Sequence, residues 1–250
     1  MCDGLWYAAA MPSHLVFISG ASSGIGKALA RAVPWADARV IDISRRGTSD
    51  VEHFPADLSD PASWPGVAEL FEREMKGDDF LRVVFVHSAG SLEPMGFAGE
   101  VDPASYTRQV LLGAASIQVL GDAFLRAAQQ TSAPCTLLNI GSGAAHNVYE
   151  GWSAYCGGKA AADHWVRTVG AEQARRGGRC RVLSVAPGVV QTDMQKQIRE
   201  TAERDFPEVE RFREMHTEGA LRDADEVARE LWNLLERDLE NGAVLDLREG

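Results

Sequence analysis

Residues 14–33 read HLVFISGASSGIGKALARAV. His14–Ser19 is a short apolar run with the length and composition of a buried strand. It stops at a glycine cluster, Gly20-Ala21-Ser22-Ser23-Gly24-Ile25-Gly26, and a helix-like stretch then continues until Pro34. Strand, glycine turn and helix in that order open a doubly wound α/β sheet. Glycines in such a turn let the chain fold back tightly and let backbone amides approach a pyrophosphate, which the helix N-terminus also attracts. The spacing is G-x-x-x-G-x-G, so the common G-x-G-x-x-G fingerprint is matched only in part, and an ordinary strand-to-helix turn is the plain alternative. Position at strand one, ahead of a whole α/β pattern, favours the dinucleotide.

That pattern continues outward from the loop. ARVIDIS (38–44) reads as the second strand and VEHFPA (51–56) as a weak third. Asp60-Pro61 opens a helix to Met75, and Asp102-Pro103 opens one to about Gln130, proline being tolerated in a first helical turn. LRVVFVHSAG (81–90), CTLLNIGSG (135–143) and RCRVLSVAPG (179–188) are further strands, and AVLDL (243–247) is the last. A long helix is expected over about 152–175, and Asp223 to Glu226 forms a capping box before a final one. Continuous rather than alternating apolar strands imply burial on both faces, hence a mostly parallel sheet between helical layers. The expectation is a single Rossmann-like, doubly wound α/β domain over 12–250, preceded by an N-terminal extension at 1–11.

The 250 residues carry 25 Lys+Arg against 36 Asp+Glu, a net charge of −11, which disfavours nucleic acid or an anionic membrane surface as a partner. No apolar run is read as approaching the roughly 18 residues of a spanning helix, and the N-terminus lacks the features of a signal peptide. Cys2, Cys135, Cys156 and Cys180 show no metal or redox spacing and read as reduced thiols, so a cytoplasmic protein is expected. His87, His146 and His164 lie in no zinc pattern, so no metal is expected. Ser142 lies in G-S-G rather than the G-x-S-x-G elbow of a hydrolase.

The end of the second strand bears on which dinucleotide would bind. An acidic residue there suits a ribose 2′-hydroxyl, whereas arginine suits a 2′-phosphate. Ser44, Arg45 and Arg46 follow Ile43, and Asp42 is expected to point away within the strand. NADP is favoured over NAD, although two solvated arginines would look the same. Asp57 and Leu58 are candidates for the adenine.

Tyr155 and Lys159 are four apart on a helix, so their side chains share a face. A phenol has a pKa of about 10, and a neighbouring ammonium lowers it toward the range useful for alcohol–ketone interconversion. Ser142, thirteen residues upstream at a strand end, can reach the same carbonyl oxygen. Y-x-x-x-K alone is a weak pattern. Its order after the glycine loop gives it weight.

Together GASSGIG, HSAG, Ser142, Tyr155-Cys-Gly-Gly-Lys159 and Pro187-Gly188 resemble the short-chain dehydrogenase/reductase family across nearly the whole chain. Within it, GWSAYCGGKAAAD and APGVVQTDMQKQIRET look closest to the sepiapterin and benzil reductase branch. The resemblance implies NADPH-dependent reduction of a ketone or vicinal dicarbonyl, with Tyr155 as proton donor. It implies that Ser142 polarises the carbonyl and that Lys159 holds the nicotinamide ribose. It adds Ala89, Gly90 and Pro187 to the cofactor residues. It places Gly188, Val190, Thr192, Asp193 and Met194 along the nicotinamide end. Gly143, Trp152 and Gly188 fall beside the substrate, and Asp246 matches a pterin-anchoring position, though an exposed strand-end aspartate is as good a reading. Trp152, Tyr149 and Met194 form an aromatic wall or belong to the core. Residues 190–220 read as a helical flap over the site or, equally well, as a solvated helix pair. A homodimer is implied.

Two departures stand out. His87-Ser88-Ala89-Gly90 replaces the family's Asn-Asn-Ala-Gly, and Val110 aligns where a helix asparagine usually completes a water-linked proton relay. Valine cannot bond a water, so proton resupply is expected to slow or to take another path. A non-catalytic NADP-binding regulator is therefore the alternative from another class, and an acyl-carrier-linked ketone the weaker alternative among enzymes.

Overall fold

The computed structural model describes residues 13–77 and 80–249. The expected extension at 1–11 lies outside them. Strands β1 (His14–Ser19), β2 (Ala38–Ser44), β3 (Glu52–Pro55), β4 (Arg82–His87), β5 (Cys135–Ile140), β6 (Cys180–Ala186) and β7 (Val244–Asp246) form one sheet. Its order is β3-β2-β1-β4-β5-β6-β7 and every neighbouring pair is parallel. The helices are α1 (Gly24–Arg31), α2 (Trp64–Glu74), α3 (Pro103–Val110), α4 (Ser116–Ala127), α5 (Ser153–Arg176), α6 (Asp193–Glu200), α7 (Val209–Thr217) and α8 (Ala224–Leu234).

Both faces of the sheet are covered, which is why its strands are built on long apolar runs. Leu15 and Phe17 pack on one face with residues of α2, α4 and α5. Val16 and Ile18 pack on the other with residues of α1 and α8. Each fully buried Leu, Ile or Phe side chain contributes about 1.5–3 kcal/mol relative to exposure. The exception is β3, a four-residue edge strand with mostly exposed side chains, where Pro55 costs no ladder bond that a central strand would need.

Local signals act as their chemistry requires. Asp102 accepts from the Ser105 amide at 2.7 Å, and Asp223 accepts from the amides of Asp225 and Glu226, so α3 and α8 start where a carboxylate can cap them. The helix expected over 103–130 is interrupted. A π turn, Leu111–Ala115, separates α3 from α4. The run Pro103–Gln130 is also, by length and composition, apolar enough to cross a membrane, which corrects the sequence reading. Its Ile117, Leu120 and Phe124 are buried in the core between α2 and the sheet, where an apolar helix is expected. Cys135, Cys156 and Cys180 are free thiols.

Strand order reverses between β1 and β4. In a parallel sheet this opens a crevice beyond the carboxyl ends of those strands, because their connections leave to opposite faces. A third apolar cluster (Leu92, Trp152, Ile198, Phe206, Val209 and Phe212) lies beyond that edge and walls the crevice.

Candidate active site

The turn after β1 is packed directly against the turn after β4. Gly20 has φ +74°, and a Cβ there would lie 2.9 Å from Ala89 Cα. At Gly26 a Cβ would lie 2.4 Å from the Gly20 carbonyl oxygen, so α1 starts flush against the loop. Asp42 does not point away as expected. It is fully buried and accepts from the Ala21 amide at 3.0 Å and from Ser44 Oγ at 2.8 Å. A loop amide buried outside any ladder needs an acceptor, and this carboxyl supplies it. Burial pushes Asp42 up, with the bonds from Ser44 and Ala21 opposing. The rim at the end of β2 is left to Ser44 and the exposed Arg45 and Arg46.

Asp57 is engaged locally, accepting from the Ser59 amide at 3.0 Å and Ser59 Oγ at 2.7 Å. Burial would raise its carboxyl, but the Ser59 bonds and the charges of Arg45 and Arg108 hold it low. His87 is a buried strut. Its Nδ1 lies 3.1 Å from Ser19 Oγ and its Nε2 3.2 Å from Ser116 Oγ. Ser116 Oγ donates to the Leu112 carbonyl, so it accepts from Nε2–H, which assigns the tautomer. Ser19 Oγ also accepts from the Ser88 and Ala89 amides at 3.1 Å, fixing the turn that faces Gly20. Burial lowers the His87 pKa to about 3, with the Lys159 charge acting the same way.

Ser142 follows β5 and caps a short 3-10 turn, its Oγ accepting from the Ala144 amide at 3.1 Å. Tyr155 and Lys159 project from the first turns of α5. Lys159 Nζ donates to the Ile140 carbonyl at 2.7 Å and stands 5.7 Å from the centre of the Tyr155 ring. The expected acidification of the phenol is not what dominates. Burial pushes Tyr155 up, and hydrogen bonding with Ser142 opposes it. Burial also lowers Lys159 to about 8, against the charge of Asp163. Both groups lose hydration here, and loss of hydration disfavours either charge. A neutral phenol is the form a proton donor requires.

At the other end, Trp152 stacks on Phe206 with ring centres 4.3 Å apart and meets Tyr155 edge-on at 5.7 Å. Trp152 is thus both core and cleft wall. Tyr149, Met194 and Phe212 line the same wall. The segment read as a flap holds α6 and α7, and its two ends are pinned together by a bridge between Val190 and Arg222. These surfaces enclose one cleft of about 930 Å³. Every site residue singled out from the sequence lines it except Asp246. A cleft of that size, floored by glycines of which Gly20 and Gly26 have no room for a Cβ, suits an extended dinucleotide with a second molecule beside it.

The family described as short chain dehydrogenase matches residues 14–203. The chain belongs to the short-chain dehydrogenase family. Benzil reductase ((S)-benzoin forming) of Bacillus subtilis (strain 168) is 35% identical over 241 residues, covering 94% of this chain and 99% of the relative. Sepiapterin reductase of Mus musculus is 31% identical over 252 residues, covering 92% and 94%. The solved KRED1-Pglu enzyme is 26% identical, with a TM-score of 0.77 and coverage of 92% of this chain and 99% of that one. This short-chain dehydrogenase is an oxidoreductase acting on CH–OH or C=O groups, in a family that binds a nicotinamide cofactor.

Two details of this short-chain dehydrogenase were not legible beforehand. Asp246 is held by Arg248, whose backbone amide and Nε both lie 2.9 Å from Oδ1 and whose Nη2 lies 2.5 Å from Oδ2. Those bonds hold the Asp246 carboxyl low. Arg248, two residues on, is the one that lines the cleft, and no periodicity would single it out. Val110 is 41% exposed and off the cleft wall, so it does not stand at a relay position. The buried residue of α3 is Gln109, whose Nε2 donates to the Ser91 carbonyl at 2.6 Å. Alignments spaced for an α-helix mislead next to a π turn, which takes one residue more.

Proposed function

We propose that this short-chain dehydrogenase is an NADPH-dependent reductase of ketones or vicinal dicarbonyls, of the kind its benzil and sepiapterin reductase relatives are named for. The observation that carries the reading is the convergence of Ser142, Tyr155 and Lys159 in one cleft. That cleft ends in an aromatic wall on one side and in Arg45 and Arg46 on the other. A nicotinamide, when bound, supplies the hydride. Tyr155, uncharged, donates its hydroxyl proton to the oxygen that becomes the alcohol. Ser142 donates to the same oxygen and orients it. Lys159, anchored on the Ile140 carbonyl, places a cation beside the phenolate left behind. The flap, packed on Trp152 through Phe206, excludes water from the reacting atoms.

The preference for a 2′-phosphate rests on Arg45 and Arg46 together with the withdrawal of Asp42 into the loop. The protein is proposed to act in the cytoplasm as a homodimer, with the exposed Val110 and Val119 of the α3–α4 run as part of the shared face. The test is NADPH consumption with benzil, sepiapterin and diacetyl. Replacing both arginines by alanine should raise the KM for NADPH about 10–100-fold, from contacts of about 1.5–3 kcal/mol, and leave NADH unaffected. Cofactor binding without turnover on any carbonyl would refute the reductase reading and favour a regulator.

A further inference from the structure

One buried acid behind the site has no part in the mechanism above. Asp163 lies on α5 one turn beyond Lys159 and two beyond Tyr155, on the same face, and its side chain is 3% exposed. Both of its oxygens are engaged. Ser184 Oγ on β6 donates to Oδ1 at 2.6 Å, and Asn139 Nδ2 on β5 donates to that serine at 2.9 Å. His146, directly after the turn that Ser142 caps, places Nε2 3.4 Å from Oδ2. Among the described residues no lysine or arginine forms an ion pair with it. A carboxylate taken out of water at a cost of several kcal/mol, where an apolar residue would fill the space, calls for an electrostatic reason.

We propose that Asp163 is a positioning residue: its charge sustains the Lys159 ammonium, and its hydrogen bonds tie the Ser142 turn to α5. Two neighbours make the charge matter. Tyr155 from α5 and His87 from β4 stand beside Lys159, both in forms that bring no negative charge, and burial disfavours the ammonium. Asp163 is the group that opposes this. His146 faces the far oxygen and is half-exposed, so it modulates the carboxylate from the solvent side.

The proposal rests on the reductase reading only for its kinetic arm. Lys27, Lys76, Lys159 and Lys196 are the chain's only lysines, so side-chain carbon NMR on lysine-labelled protein resolves the Lys159 titration without any substrate. The wild-type midpoint is expected near 8. Asp163→Asn, which keeps the shape, should lower it by about one unit, the smaller end of the effect of an opposite charge nearby. Ser184→Ala, which removes a bond but leaves the charge, should lower the melting temperature and leave the midpoint in place. If Asp163→Asn does not fold, His146→Arg sets a fixed cation on the same carboxylate at a half-exposed position and should move the midpoint the same way. An unmoved midpoint in whichever variant folds overturns the proposal. In kinetics the alkaline limb of kcat should shift with the midpoint, the loss approaching tenfold above pH 8.5, with the KM for the carbonyl unchanged. Should NMR show the shift while no carbonyl is reduced, the reductase reading fails and the electrostatic one stands.

Discussion

Gly26→Ala sets helix propensity against packing. Alanine is favoured over glycine inside a helix by up to about 1 kcal/mol, so propensity alone makes this change stabilising. The new methyl, however, would sit 2.4 Å from the Gly20 carbonyl oxygen, 2.8 Å from its carbon and 3.2 Å from Ala21 Cα. All three are backbone atoms, so no side chain can swing aside, and α1 must move by roughly 1 Å from β1 to reach ordinary contact. Overpacking of this kind costs about 1–3 kcal/mol, so the net effect is a loss of up to about 2 kcal/mol. At about 2–4 °C per kcal/mol for a chain of this size, the melting temperature should fall by up to roughly 8 °C. Gly157→Ala is the matched control. It lies exposed in α5 with nothing within 4 Å of the new methyl, and should gain up to about 1 kcal/mol. Urea unfolding of both variants, with m unchanged, reads the two signs directly. NADPH affinity should fall in Gly26→Ala alone, because the displaced helix carries the amides that face the cleft. A Gly26→Ala protein as stable as Gly157→Ala would refute the close packing of the loop on which the cofactor reading rests.

Val110→Asn should leave kcat within about twofold of wild type, because the side chain points to solvent; a clear rise would put residue 110 back in the proton path. His87 gives a pH signature. Its pKa is near 3 folded and about 6.5 unfolded, so the unfolded chain takes up a proton first as pH falls, and stability is lost from pH 6.5 downward. Between pH 6.5 and 5 that loss is about 2 kcal/mol, and urea unfolding should show it halved or better in His87→Asn. Equal losses in both proteins would mean that the ring is not buried uncharged.

The strands were legible because burial on both faces leaves unbroken apolar stretches such as VVFV (83–86) at their centres. The caps were legible for a related reason, since Asp102 and Asp223 act on amides two or three residues away. Interactions that depend on distant pairing were not. Nothing local says that Asp42 turns back to the Ala21 amide, because the need for it arises only when β1 and β2 are side by side. The π turn at Leu111–Ala115 is invisible to a period count, since leucine, glycine and alanine suit an α-helix equally well. Asp246 is a local exception: Arg248 is only two residues on, but the turn that brings it back beyond the short β7 leaves no mark in the sequence. In the site, Ser142, Tyr155 and Lys159 could be named from their order. The balance between burial and charge that sets their protonation could not, because it is a property of the closed cleft.

The most direct test is single-turnover reduction of benzil by the Tyr155→Phe protein under saturating NADPH. Phenylalanine keeps the ring against Trp152 and removes only the hydroxyl. The fold and NADPH binding should be retained, with the reduction rate lowered by about 10²–10⁴-fold, the usual worth of a positioned general acid. A rate within a few-fold of wild type would mean that the proton comes from elsewhere, and that the grouping of Ser142, Tyr155 and Lys159 is not the catalytic centre.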